Sequence, residues 1–168
     1  MKRFFKLRVI GRIAGSCLAL IVTWLISTYP ALAQDSGVEM DVYKDPSCGC
    51  CNGWIEHMNL NDFATNVFHP RDLNGLKQEH GIAPQLQSCH TAITEAGYVF
   101  EGHVPAKLIK QFLANPPTGA IGLTVPGMPV GTPGMEMGNR FTPYNVLLIK
   151  QDGSAEIYAE ISKAEDQH

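Results

Sequence analysis

Past an apolar opening, the chain carries two periodicities in quick succession. Val38-Glu39-Met40-Asp41-Val42-Tyr43 alternates apolar and polar positions and predicts a half-buried strand. Cys51, Trp54, Ile55 and Met58 then recur at i, i+3, i+4 and i+7, which predicts a helix over 51–61 whose buried stripe begins with a cysteine. Asp45-Pro46-Ser47 separates the two, with Ser47 placed to cap the helix. Further on, Phe63 to Phe68 reads as a second strand and Asp72 to His80 as a short helix stopped by Gly81. Leu86 to Ile93 reads as a third strand, and a turn around Gly97 leads to a fourth at Tyr98-Val99-Phe100. Leu108, Ile109, Phe112 and Leu113 mark a last helix, with Pro105 near its first turn.

Residues 118–140 show no such period. They are rich in Gly, Pro and Met and read as a long loop, of the kind that is functional or mobile inside a compact domain. Beyond them, Tyr144 to Lys150 and Glu156 to Ile161 flank Asp152-Gly153, a hairpin signal. The order β-α-β-α-β-β-α, with CxxC after the first strand, predicts an α/β fold of the thioredoxin-like sandwich type. The Gly/Pro/Met-rich insertion and the C-terminal β-hairpin elaborate it.

The opening itself changes the boundaries. Lys2, Arg3, Lys6, Arg8 and Arg12 precede an uncharged apolar run from Ile13 to Tyr29, and Ala31-Leu32-Ala33 offers a small-x-small cleavage site. This reads as a secretory signal peptide over 1–33, followed by a single metal-binding domain over 34–168. The competing reading, an uncleaved anchor, has a stretch slightly short of a span of about 20 residues. Cys17 lies inside this segment and is too early for lipid attachment. Cleavage removes five of the 13 basic residues and none of the 16 acidic ones, leaving a net charge of −8. Such a surface disfavours nucleic acid and anionic membranes and suits the attraction of cations. The expected location is the periplasm, with no membrane contact after signal removal.

Chemistry concentrates in Cys48-Gly49-Cys50-Cys51. Cys48 and Cys51 share one face of a first helical turn, and Cys50 lies about 100° round it. A helix N-terminus favours thiolate, the form that attacks and that binds metal. In the thioredoxin-like order, the start of the third strand runs beside this turn, so Cys89 and His90 come within reach of it. Four sulfurs from two segments suit Cu(I), or zinc in a tetrahedral site. The ligands are clustered more tightly than the two separated pairs of a structural zinc site, and one sulfur could bridge two metals, which favours copper. Two plain structural disulfides are the competing use of four exported cysteines, but adjacent Cys50 and Cys51 serve poorly as staples.

His90 has the best claim among the histidines, and His103, before the last helix, the next. His57, His69 and His80 read as solvated, and terminal His168 has no role. Met128, Met135 and Met137 lack the spacing of core residues and either add soft thioethers or pack the loop over the domain. Asp45 reads as a solvated loop residue. No phosphate-binding Gly-rich loop and no serine triad signature is present.

These blocks also carry a resemblance. Val42-Tyr43-Lys44, Cys48-Gly49-Cys50-Cys51 with Trp54, Ser88-Cys89-His90-Thr91-Ala92, Gly97-Tyr98-Val99, Glu101-Gly102-His103-Val104-Pro105-Ala106, Val125-Pro126-Gly127-Met128-Pro129 and Gly134-Met135-Glu136 resemble, in that order, the CopG-like family of exported copper-resistance proteins. The match runs from about Val38 to Ile161. It implies a thioredoxin-like fold and a copper cluster bridged by Cys48, Cys50, Cys51 and Cys89. It also implies a part in periplasmic copper tolerance through binding more than one Cu(I), with oxidation and reduction of copper as a further activity. His90, His103, Met128 and Met135 are the additional candidate ligands, and other periplasmic copper-handling proteins the candidate partners. Two other classes compete: a thiol–disulfide oxidoreductase in which Cys48 attacks and Cys51 resolves, and a disulfide-stapled interaction module without metal.

Overall fold

The computed structural model describes residues 37–168; the expected signal peptide, its cleavage site after Ala33 and Cys17 lie outside them. Seven strands form one sheet in the order β2-β1-β3-β4-β5-β6-β7. The strands are β1 (Val38–Lys44), β2 (Phe63–Phe68), β3 (His90–Thr94), β4 (Val99–Glu101), β5 (Ala120–Thr124), β6 (Tyr144–Lys150) and β7 (Ala155–Ile161). Among the described residues three helices accompany them: α1 (Gly49–Asn59), α2 (Leu73–Glu79) and α3 (Ala106–Ala114). β1 pairs parallel with β2 across the α1 crossover, then antiparallel with β3, which pairs antiparallel with β4. This is the expected thioredoxin-like arrangement, extended by β5 and by the β6–β7 hairpin.

Period-two patterning separates two cores. Ala92, Phe100, Leu123, Val146 and Leu148 face a main cluster built with Trp54 and Met58 of α1 and Ile109 and Phe112 of α3. Their neighbours Ile93, Val99, Ile121, Leu147 and Ile149 face the opposite way, onto Ile82 and Leu86. Helices α1 and α3 thus cover one face, and the segment after α2 covers part of the other. The α1 stripe is as expected: Cys51, Trp54 and Met58 are fully buried and Ile55 packs against the cluster.

Local details depart from the sequence reading. Ser47 does not cap α1; its N–H and hydroxyl both donate to Asp45 Oδ1, closing a turn, and Cys48 takes the cap position with extended backbone. Pro105, expected near the first turn of α3, is its cap. Leu86 ends a 3-10 turn (Pro84–Leu86), so the third strand starts only at His90. The main omission is β5, inside the stretch read as loop. Gly122 hides it, because a Cβ there would lie 1.7 Å from Val99 O, and the close approach of β4 and β5 requires the glycine. Among the described residues, no helix is long and apolar enough to cross a membrane.

Candidate metal centre

β1 ends at Lys44, the Asp45–Ser47 turn reverses the chain, and α1 starts with Cys48 at its cap. Antiparallel pairing of β1 with β3 sets His90 opposite Lys44, which delivers Cys89 beside the first turn of α1. The sulfurs of Cys48, Cys50, Cys51 and Cys89 all lie within 4.8 Å of one another. Cys89 Sγ belongs to a second group as well, with ring nitrogens of His90 and His103 inside the same limit. The convergence expected from the fold is therefore present, and one sulfur is common to both groups.

Cys48 and Cys51 are joined in a disulfide, while Cys50 and Cys89 are free thiols. Cys50 Sγ sits 3.6 Å from Cys48 Sγ. Burial and the neighbouring Cys50 push the Cys89 thiol up to about 11. At neutral pH it holds its proton, and a cation held among the sulfurs would offset the crowding by displacing that proton. Taking up metal on all four sulfurs first requires two electrons and two protons to open the Cys48–Cys51 bridge into thiols.

The histidines are prepared differently from ordinary surface imidazoles. His103 is buried, and its Nδ1 donates to Pro133 O at 2.7 Å. A carbonyl can only accept, so Nδ1 carries the proton and the Nε2 lone pair is left facing Cys89 Sγ at 3.2 Å. A backbone carbonyl orienting one ring nitrogen is a common outer-sphere feature of metal-ligating histidines. His90 is fully buried, under the Trp54 ring at 4.4 Å between centroids and edge-on to His103 at 5.1 Å. Its Nδ1 lies 3.3 Å from Cys89 Sγ, and its Nε2 has no hydrogen-bond partner among the described residues. An unpartnered buried nitrogen is costly unless a ligand completes it. Burial holds both rings below the usual histidine value, helped for His90 by His103, so both stay neutral and able to ligate.

The methionine-bearing loop is docked onto this end of the sheet through its backbone. Gly127 O accepts from Ser88 Oγ, and Gly127 N donates to Gln87 O at 3.4 Å. Gly134 has φ +82 and sits so close to α1 that a Cβ would lie 2.2 Å from Trp54 N. Met128 and Met135 follow these anchored glycines in the chain, Met128 largely exposed and Met135 half-buried. Met137 is exposed, and its sulfur accepts from Arg140. The structure thus gathers the four cysteines into one group and His90 and His103 into a second that shares Cys89, while Met128 and Met135 belong to the loop docked at Ser88 and Trp54.

His57 is not solvated as expected: it is half-buried, and its Nε2 accepts the Ala106 N–H at the start of α3. His69 and His80 are exposed, although His69 Nδ1 also donates to Lys44 O. Two contributors were missed by sequence reasoning. Pro133 acts through its carbonyl, for which the sequence has no signal. Glu101 and Lys77 form a buried ion pair behind the Cys89 segment. A signal for it existed, since Lys77 completes the Leu73, Leu76, Lys77 spacing at a core position of α2.

A family described as "Protein of unknown function, DUF411" matches residues 86–135, which include Cys89, His90 and His103. No curated protein matches the chain. Two solved structures do, described as copper resistance protein CopG, forms 1 and 2. Each is 38% identical, with a TM-score of 0.70 over 74% of this chain and 98% of its own. With near-complete coverage of those structures at this identity, and a cysteine group able to hold metal at the end of the same sheet, the chain belongs to the CopG family of copper resistance proteins.

Proposed function

We propose that this protein binds Cu(I) as cargo in the periplasm, taking more than one ion in a site bridged by Cys48, Cys50, Cys51 and Cys89, after removal of residues 1–33. The observation that supports this most is the convergence of the four sulfurs within 4.8 Å, with Cys89 shared by the His90–His103 group. Four sulfurs crowded together are a soft donor set, and a shared sulfur suits a site with several metal ions better than a single tetrahedral zinc. The histidine nitrogens add borderline donors, so the same pocket would tolerate both oxidation states of copper and support a change between them. Met128 and Met135 complete the proposed donor set from the loop, as soft thioethers. Other periplasmic copper-handling proteins are the proposed exchange partners.

The test is anaerobic Cu(I) loading of reduced protein purified from the periplasm, with copper counted per chain after removal of loose metal. More than one copper is expected per chain, with loss in Cys50→Ser and a larger loss in Cys89→Ser. Equal loading of wild type and Cys89→Ser would remove the basis of the proposal.

The Cys48–Cys51 bridge favours a second reading, a thiol–disulfide oxidoreductase in which Cys48 attacks a protein disulfide and Cys51 resolves the mixed disulfide. Cys50, 3.6 Å from the Cys48 sulfur, is a competing resolving thiol and weakens this reading. Catalytic insulin reduction that persists with a copper chelator present would favour it over copper binding.

A further inference from the structure

Behind the ligand strand, on the face of the sheet away from His90, lies a polar cluster closed to solvent. The Glu101 carboxylate on β4 accepts from Lys77 Nζ of α2, from the Thr91 hydroxyl at 2.6 Å and from the Ser88 backbone N–H. Lys77 Nζ also donates to Thr91 Oγ1 at 3.1 Å. Lys77 is 1% exposed, and Glu101 and Thr91 are fully buried. Apolar residues of the same volume often stabilise a fold as well as a buried ion pair or better, so stability alone does not account for this one. A role for it is visible in what the carboxylate holds. Ser88 and Thr91 bracket Cys89 and His90, and Ser88 lies in the irregular stretch between the 3-10 turn and β3, where no ladder partner takes its N–H.

We propose that Glu101, neutralised by Lys77, is a positioning residue for the Cys89–His90 pair, fixing through Ser88 and Thr91 the sulfur on which both ligand groups depend. The proposal rests on the copper-binding reading for its consequence, and on the hydrogen bonds alone for its geometry. Glu101 touches no candidate ligand atom; it acts on the backbone before the ligand pair and on the side chain after it. A neutral amide at 101 can make the same two bracketing bonds, because Gln accepts from Ser88 N–H and donates to Thr91 Oγ1. The charge is therefore dispensable once Lys77 is also neutral, whereas the hydrogen bonds are not.

Three variants separate this from a purely structural ion pair. Lys77→Met/Glu101→Gln keeps the brackets without charge and is expected to retain copper as the wild type does. Lys77→Met/Glu101→Leu removes them, and Cu(I) retention against a chelator is expected to weaken about ten-fold, with a changed Cu(I)–thiolate charge-transfer band. In the reduced, metal-free protein, Cys89 is expected to be alkylated roughly five-fold faster, read by peptide mass spectrometry, with Cys50 unchanged. Thr91→Val removes one bracket, is small enough to fold, and is expected to speed Cys89 alkylation about three-fold. Wild-type copper retention and Cys89 reactivity in the Leu variant would overturn the proposal. If that variant does not fold, unchanged Cys89 reactivity in Thr91→Val does so. A wild type that binds no copper would defeat the parent reading alone, because the alkylation comparison still decides what Glu101 does.

Discussion

Gly134→Ala is the sharpest test of how the methionine-bearing loop serves the site. Gly134 has φ +82, a conformation that costs a residue with a Cβ about 1–2 kcal/mol. The added Cβ would also meet backbone at three points: Trp54 N at 2.2 Å, Gly53 C at 2.6 Å and Trp54 Cα at 2.9 Å. The nearest of these is roughly 1 Å inside van der Waals contact, and backbone in the first turns of a helix cannot swing aside as a side chain can. The loop must lift instead, carrying Pro133 with it. Its carbonyl then leaves His103 Nδ1, now 2.7 Å away, at a further cost of about 1 kcal/mol. The expected total is about 2–3 kcal/mol, or a melting temperature lower by roughly 6–15 °C for a domain of this size. Gly138→Ala is the control, since Gly138 also has positive φ, at +63, but nothing lies within 4 Å of its Cβ position. Thermal unfolding of the reduced, metal-free proteins by circular dichroism makes the comparison. Gly134→Ala is expected to melt below Gly138→Ala and to lose the slowly exchanging His103 Nδ1–H signal by NMR. Equal melting points with that signal intact would refute the claim that the seat on α1 orients His103.

Three further outcomes follow from the same geometry. Trp54→Phe removes the Nε1–H donated to Val104 O at 2.9 Å and leaves a buried carbonyl unpaired, so denaturant unfolding is expected to show a loss of about 1–3 kcal/mol. Burial and the facing His168 hold His57 below the usual 6.5, so beneath that value the unfolded chain binds more protons than the folded one. Stability is thus full above about pH 6.5 and declines as the pH falls below it; His57→Gln, which still accepts from Ala106, is expected to melt with a shallower decline between pH 7 and 5. Mild oxidation of the metal-free protein is expected to give a Cys48–Cys51 bridge with Cys50 and Cys89 alkylatable, and peptide mapping that finds Cys50 joined to Cys89 would contradict it.

Much of this site was legible in the residues because its parts are coded by local period. Alternation in β1 and the 51, 54, 55, 58 stripe fixed where the thiol turn sits, and the fold order brought Cys89 to it. What stayed hidden depends on backbone or on the absence of a side chain. Gly122 disguised β5 as loop, although it is the glycine that lets two strands approach. Pro133 orients His103 through a carbonyl that every residue possesses. His57 looked solvated because nothing in its neighbours reveals that a distant helix start would need an acceptor. Ser47 was the better cap by composition, yet Asp45 captured its N–H and hydroxyl first, leaving the cap to a cysteine.

The pairing of β1, β3 and β4 runs without interruption, while the sheet's two register shifts both fall on the far side, in β5–β6 and β6–β7. His90 faces Trp54 only because it sits opposite Lys44; one residue gained or lost in either strand would turn the imidazole to the other face and bring Thr91 round in its place. Evolution can therefore lengthen, trim or kink the distal strands at modest cost. The proximal three behave like a reading frame, in which a single indel scrambles the message while most substitutions only misspell it.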